Sequence, residues 1–331
     1  MEMYEPPFNI TNKMLNLVST ISSKLEKIDS YKNLSRMPIL RRNNKIESIH
    51  ASLAIEANSL TIGQVRDVIN GKLVLGEQRE IQEVKNAFAA YERVIDTDPY
   101  SMEKLKEMHG VMTFALVNES GKFRRGNEGV FDGDRCIFIA PPPNMVESLM
   151  ESLFEWIKSN KDDVHPLILS SVFHYEFVFI HPFSDGNGRM ARLWQNCILS
   201  KWKEIFEYMP IETQIKKYQQ EYYEAISKSH ISGNCNEFIE FMLKMIDGTL
   251  DELLINTNKE IKQTSMYVEK ILSVMSFDSY YSANELMGLL GIKSKENLRA
   301  NYLDPAIANG LIKLTMPDKP TSKNQKYYKV G

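Results

Sequence analysis

Cysteine is scarce in this chain: Cys136, Cys197 and Cys235 are the only three in 331 residues. They stand far apart and form no Cys-x-x-Cys pair. A disulfide framework or a zinc knuckle is therefore not expected, and the thiols fit a reducing cytosol. Long apolar runs are also missing. No stretch of 18 apolar residues occurs, so no membrane-spanning helix is expected. The start, "MEMYEPPFNITNKMLNLV", has no basic region followed by an apolar run, and no signal peptide is expected. Charge of one sign is lacking too. The net charge of -3 is too small to point the whole chain at nucleic acid or a membrane. There is no internal repeat and no low-complexity tract. The 43% hydrophobic and 25% charged residues are those of an ordinary soluble globular protein. The length suits two or three domains.

Helical periodicity dominates what is present. In "NKMLNLVSTISSKLEKI", Met14, Leu15, Leu17, Val18 and Ile21 fall on one face at 3.6-residue spacing. The segments "QREIQEVKNAFAAYERVI", "SMEKLKEMHGVMTFAL", "MVESLMESLFEWIKSN" and "PLILSSVFHYEFVFI" read the same way. So do "MARLWQNCILSKWKEIF", "QIKKYQQEYYEAISKS" and "NEFIEFMLKMIDGTLDELL". One segment interrupts the pattern. "GKFRRGNEGVFDGDRCIFIAPPP" places Asp132-Gly133-Asp134 between two short β-prone runs, a hairpin signal. Pro141 to Pro143 stop the second strand.

Composition shifts after about residue 260. From Ile261 onward there are 10 Lys/Arg against 6 Asp/Glu. Two short helices followed by a two-stranded wing are expected there, the order of a winged helix-turn-helix. The alternative is a small helical accessory domain without a nucleic-acid role, since the basic surplus is a weak electrostatic footprint.

The densest polar chemistry lies in "IHPFSDGNGRMAR", Ile180 to Arg192. Gly186-Asn187-Gly188 allows positive φ and close approach of a ligand. A helix expected to begin near Arg189 aims its unpaired N–H groups and positive dipole end at that turn. Such a nest binds anions, phosphates above all. Arg189 and Arg192 are three apart, so both guanidinium groups share one helix face and suit a polyphosphate. Asp185 is placed as a single carboxylate for Mg²⁺ shared with substrate phosphates. His181 is a candidate general base, and Phe183 a core anchor. Other readings compete. A lone histidine can be a packing or capping residue. His181 and Asp185 could ligate a hydrolytic metal, but no local His/Asp cluster completes the shell. Gly-x-Gly-x-x-Ala loosely fits a dinucleotide fingerprint, but its lead-in is a long helical stretch and no alternating βα pattern follows. Phosphate-ester or nucleotide chemistry is the reading these residues favour.

"HPFSDGNGRMAR" also resembles the HxFx(D/E)GNGRxxR signature of Fic-domain proteins, with all eight specified positions in twelve present. "FHYEFVFIHPF" is similar to that family's helix before the motif. "GKFRR…IFIAPPP" resembles its flap, and "YYEAI…FIEFML" its closing helices. The similarity covers roughly residues 40 to 250, and the tail from "NLRANYLDPAIANGL" resembles the winged-helix segment of many bacterial members. The resemblance implies an all-α fold: a Fic-type helical core with a small β-hairpin flap, plus a C-terminal winged helix-turn-helix. The expected boundaries are 1–100 for N-terminal helices, 101–255 for the core and 262–331 for the winged helix.

The resemblance further implies transfer of AMP from ATP to a Tyr, Thr or Ser hydroxyl of a protein, this chain included, with release of pyrophosphate. His181 would take the hydroxyl proton and Asp185 would hold Mg²⁺. Asn187 and the amides of Gly186 and Gly188 would cradle phosphates, with Arg189 on the β-phosphate and Arg192 on the γ-phosphate. Tyr222 and Tyr223 fall where the family has an adenine-contacting tyrosine, although core packing explains either equally well. The flap would receive a target segment as an added strand. Upstream, "ASLAIEANSLT" resembles the family's inhibitory helix, (S/T)xxxE(G/N), through Ser52 and Glu56. Ala57 departs from that pattern. A homodimer and DNA contact through the tail remain open. The alternatives to an adenylyltransferase are transfer of another nucleotide, phosphate or phosphocholine on the same scaffold, and a DNA-binding regulator of toxin–antitoxin type.

Overall fold

A computed structural model describes residues 4–30, 38–132, 135–277 and 279–330. The chain divides into two compact units, Met1–Asp251 and Glu252–Gly331. In the first, α1 (Asn12–Ser30) buries Met14, Ile21, Leu25 and Ile28 as one helical stripe. Leu15, expected on that face, is 56% exposed. Helix α2 (Pro38–Ile55) is followed by α3 (Ile62–Ile69), α4 (Gln78–Tyr91) and α5 (Met102–Met112). The short α3 was not expected, although the sequence carries its signal. Thr61 and Gln64 form a reciprocal capping box, which satisfies two of the donors a helix start leaves unpaired.

The expected hairpin is present. β1 (Gly129–Asp132) pairs antiparallel with β2 (Arg135–Ile139), with a bulge between Val130 and Phe131. Below it the Ala140 N–H donates to the Glu128 carbonyl at 3.0 Å. The tip residues Gly133 and Asp134, and the side chain of Cys136, lie outside the described residues.

Helix α6 (Pro143–Asn160) leads to α7 (Pro166–Ile180) and α8 (Asn187–Trp202), which pack on each other at the centre of this unit. Both are buried almost all round, as helices of a core interior are. The segment expected to continue α8 breaks at Lys203, whose backbone is extended (φ -142°, ψ 118°), and a 3-10 helix follows at Glu204–Tyr208. A second expected helix divides at Tyr218 into α9 (Ile211–Lys217) and α10 (Gln219–Ser232). In both places tertiary packing overrides a continuous periodicity. Helix α2 packs against α4, α8 and α9. Cys197 and Cys235 are buried free thiols.

α11 (Asn236–Val274) contributes to both units. The second unit contains β3 (Tyr281–Ser282), α12 (Ala283–Leu290), then α13 (Lys295–Asn297), one π turn at Leu298–Leu303 and α14 (Asp304–Ala308). β4 (Ile312–Leu314) and β5 (Lys326–Lys329) form the two-stranded element expected there, and β3 adds to its other side in the order β3-β5-β4. Val268, Ile271, Leu286, Leu298, Leu303 and Ile312 lie in its own core. Among the described residues no helix is long and apolar enough to cross a membrane.

The end of α2 fixes Glu56. The Asn58 N–H reaches back to the Leu53 carbonyl at 3.1 Å and the Ala57 N–H to the Ala54 carbonyl at 3.3 Å. These are the two bonds of a Schellman cap, and Ala57 occupies its left-handed position with φ 65°. Asn58 then ties the turn to α4 through the Glu80 carbonyl and the Glu83 carboxylate. A left-handed residue with a Cβ costs roughly 1–2 kcal/mol, while glycine loses about 0.4–1 kcal/mol more through the unfolded chain. Ala57→Gly should therefore stabilise the first unit by about 0.5–1 kcal/mol, the difference of those two effects. A urea midpoint that falls would mean that the turn does not carry this strain.

Candidate functional site

Helix α7 ends where His181 turns left-handed, at φ 52° and ψ 58°. Its carbonyl accepts from Arg124 Nε at 2.7 Å. The half-buried imidazole is held below its ordinary pKa, chiefly by burial, with Arg124 adding to the shift and the Val178 backbone and Glu56 opposing it. Its Nδ1 is buried without a partner of hydrogen-bond geometry. Burial thus favours the neutral imidazole.

The loop to α8 is braced from inside. Asn187 Oδ1 accepts from the Phe183 N–H at 2.9 Å, and its Nδ2 donates to the Phe183 carbonyl at 2.7 Å. The Asn187 side chain is thus a staple on the loop, and only its backbone N–H joins the helix start. Phe183 is fully buried, as expected of an anchor, and stacks on His109 at 3.6 Å between ring centroids. His109, on α5, accepts from the Gly121 N–H through Nδ1 at 2.9 Å. Nε2 therefore carries the proton and donates to the Asp185 carbonyl at 3.0 Å. Burial, with Arg189 assisting, pushes this imidazole down to about 4 against the opposing Asp185.

Helix α8 begins at Asn187, two residues before the expected start, with Gly186 as a left-handed N-cap at φ 81° and no side-chain cap. Its first N–H groups are therefore open to an anion. Both Asp185 oxygens are engaged. Oδ1 accepts from the Gly186 N–H at 2.6 Å and from Arg189 Nη2 at 2.8 Å, and Oδ2 accepts from Arg79 Nη2 at 2.9 Å. Arg79 comes from α4, as does Glu83, which lies 3.6 Å from both Arg79 Nε and Arg189 Nη1. Arg189 is buried, and its Nε and Nη1 make no hydrogen bond.

Arg192 is the deepest cation, 2% exposed. Its Nε donates to Ser52 Oγ and its Nη2 to the Ser52 carbonyl, both at 3.0 Å. Nη2 also donates to Glu56 Oε1 at 2.8 Å. Burial is the largest single influence on the Arg192 pKa and would lower it, but Glu56, Tyr222 and Tyr91 together outweigh it, and the net direction is upward. Its Nη1 has no partner of hydrogen-bond geometry. Glu56 lies on the start of α8 itself. A Cβ placed on Gly188 would come within 2.2 Å of Glu56 Oε1, so only glycine admits this approach.

Of the two tyrosines, Tyr222 is core. Its hydroxyl meets His174 Nε2 at 2.9 Å, and His174 Nδ1 meets Gln195 Oε1 at 2.6 Å. Burial holds that histidine down to about 3. Tyr223 is 47% exposed and lines a groove with Gln219, Gln220, Glu224 and Ser227. Gln219 joins that groove to the end of α2 through the Ile55 carbonyl at 3.1 Å.

The sequence positions His181, Asp185, Gly186, Gly188, Arg189, Arg192, Ser52 and Glu56 thus converge on one nest. Among the described residues no cluster of three or more His, Cys, Asp or Glu could hold a metal alone. A match to the Fic/DOC family covers residues 99–199. Residues 267–329 match the C-terminal domain of the "filamentation induced by cAMP" Fic-like proteins. The solved structure of a Fic family protein from Desulfovibrio desulfuricans G20 is 40% identical, with TM-score 0.75 and 99% of each chain covered. The chain belongs to the Fic family. Curated relatives named protein adenylyltransferase Fic include one from Nematostella vectensis, 29% identical over 220 residues, covering 64% of this chain and 49% of the relative. Another, from Drosophila erecta, is 29% identical over 262 residues, covering 74% and 51%. The chain spans about half the length of these curated relatives.

The Fic motif could be read locally, whereas His109, Arg79, Glu83 and Arg124 could not. Each sits in an ordinary polar position of the sequence, and only the fold brings it to the motif. For His109 the consequence is measurable. Its pKa is lowered on folding, so between about 6.5 and 4 the unfolded chain binds a proton that the native state does not. Stability therefore falls as pH drops through that window, by about 1.4 kcal/mol per pH unit for one such group. His109→Gln should reduce the pH dependence of the urea-unfolding free energy by that amount. An unchanged slope between pH 6.5 and 5 would show that His109 is protonated in the native state.

Proposed function

We propose that this Fic protein transfers AMP from ATP to a hydroxyl side chain of a protein, itself included, and that Glu56 holds the reaction in check. The observation that carries the reading is the Glu56 carboxylate on Gly188, paired with Arg192 at 2.8 Å. An anion already occupies the place that the open N–H groups of α8 and two guanidinium groups prepare for phosphate.

The chemistry follows from the groups present. The target oxygen attacks the α-phosphorus, the bond to pyrophosphate breaks, and His181 Nε2 takes the hydroxyl proton. A base kept neutral by burial suits that step. The amides of Asn187 and Gly188 receive the phosphate oxygens, Arg189 the β-phosphate and Arg192 the γ-phosphate. Arg189 Nε and Arg192 Nη1, which make no hydrogen bond, support both assignments. Exposed Tyr223 is the candidate platform for adenine, and Tyr222 supports Arg192 from below. A lone, partly exposed carboxylate fits Mg²⁺ shared with substrate phosphates, so Asp185 would hold it. There the ion would supply charge neutralisation. The protein's own contribution is position and charge, since phosphoryl chemistry of this kind needs little covalent help. The β1–β2 hairpin offers an edge for a target strand, which would set register through main-chain bonds.

With Glu56 in place, the γ-phosphate meets a carboxylate instead of a free Arg192, and the α-phosphate is left out of line. Misplacement of this kind costs about 10²-fold. Intact-mass analysis of the full chain with ATP and Mg²⁺ should show AMP gained at least about ten-fold faster in Glu56→Ala than in wild type, part of that range. Adding Arg192→Ala or His181→Ala should remove the gain. A folded Glu56→Ala protein no faster than wild type would clear Glu56 of the inhibitory role. No AMP on any variant or on lysate proteins would end the transferase reading.

Arg79 stands on the Asp185 oxygen that the metal would need. An exposed ion pair is worth about 0.2–1 kcal/mol. Arg79→Ala should therefore raise the Mg²⁺-dependent part of ATP affinity by about 1.5–5-fold. Calorimetric titrations with and without Mg²⁺ test this, and the same increment in both proteins would mean that Arg79 leaves Asp185 freely.

A further inference from the structure

Arg124 is a buried guanidinium, 3% exposed, that forms no ion pair with a carboxylate among the described residues. Carbonyl groups take its place. Nε donates to the His181 carbonyl at 2.7 Å and Nη2 to that of Ile180 at 3.4 Å, while its own backbone N–H donates to Pro182 at 2.9 Å. Three consecutive carbonyls of the catalytic turn thus converge on one residue. The rest of the fork faces the hairpin. Nη1 donates to the Gly126 carbonyl at 2.7 Å and Nη2 to that of Pro141 at 2.6 Å. Gly126 precedes β1 and Pro141 follows β2, so both roots of the hairpin are held.

We propose that Arg124 is a positioning residue for the transfer reaction, fixing the hairpin to the His181 backbone and so setting where a docked hydroxyl meets the base. The proposal rests on the transferase reading given above. His181 is left-handed at φ 52°, which a residue with a Cβ adopts only under constraint. The Arg124 bonds to residues 180, 181 and 182 supply that constraint. Only a planar fork can serve four carbonyls in these directions, and a buried cation without an ion-pair partner favours the weakly hydrated guanidinium over an ammonium. Burial lowers the Arg124 pKa, with only Glu128 acting against it through space. The charge has its own effect. The groups acting on the imidazole are Arg124, which lowers its pKa, and Glu56 and the Val178 backbone, which raise it. Arg124 therefore helps to keep the base unprotonated.

The two roles separate experimentally in the full chain carrying Glu56→Ala. Arg124→Lys keeps the charge and loses the fork, and Arg124→Gln loses both. Both should bind ATP within two-fold of the parent by calorimetry and lose at least ten-fold in kcat. The acid limb of the rate profile, and the His181 titration followed by NMR, should move to higher pH in Arg124→Gln but not in Arg124→Lys. A folded Arg124→Lys protein with kcat within three-fold of the parent overturns the proposal. So does a loss of ATP affinity in step with kcat. If Arg124→Lys does not fold, adding His181→Gly should restore folding, because glycine adopts the left-handed turn freely; failure to restore it overturns the coupling. A parent that transfers no AMP, with the His181 titration shifting as stated, overturns the transferase reading and leaves the coupling standing.

Discussion

Arg192, buried as deeply as Arg124, is paired with an anion that the fold supplies from 136 residues away in sequence. Ser52 satisfies two of its donors with neutral oxygens, but neither carries charge. Glu56 does, and the geometry that brings it there is costly. It needs a left-handed Ala57, a Schellman cap on α2 and a tether from Asn58 to α4. It also needs Gly188 to have no side chain. The end of α2 and its tether to α4 thus deliver one carboxylate to one guanidinium.

Arginine charge adds to burial in holding down three histidines. His109, His174 and His181 are all held below their ordinary pKa, with burial the first cause in each and an arginine a further one. Arg189 acts on His109, Arg192 on His174 and Arg124 on His181. A site built to collect phosphate would repel imidazolium ions, so its histidines serve as neutral hydrogen-bonding groups. Two of them brace structure: His109 ties the loop at Gly121 to the loop at Asp185, and His174 supports Tyr222 beneath Arg192. His181 alone is left with a ring nitrogen available for proton transfer.

What the sequence made legible was local. The nest, its two arginines and its aspartate occupy consecutive turns, where spacing alone gives direction. The hairpin was visible in its strand runs and stopping prolines. The order of helix and strand in the tail was visible too, except for β3, whose two residues are too short to announce a strand. The continuity of helices was not legible at Lys203 or Tyr218, because periodicity carries no information about where tertiary packing makes the chain turn. Long-range partners were hidden for a related reason. Arg79 and Arg124 look like ordinary surface charges until the fold buries one and lays the other across Asp185. Ala57 is instructive in the opposite sense. As a departure from the Fic pattern it weakened the reading of the inhibitory helix, yet its positive φ shows why that position prefers glycine or asparagine.

On the proposed reading, inhibition and stability are two aspects of one pair. Removing one partner of a buried ion pair leaves an uncompensated charge, which is more costly than the pair was worth. Glu56 is partly exposed and Arg192 is not, with side-chain exposures of 39% and 1%, so the burden falls on the arginine. A nucleotide's terminal phosphate would meet the same need from the open side of the nest. On that reading the carboxylate and the phosphate would compete for one charge in one place, and a conformation that released Glu56 without nucleotide would leave Arg192 without its ion-pair partner. If Glu56 is the proposed inhibitor, the energy that displaces it from Arg192 must come from the ligand that replaces it.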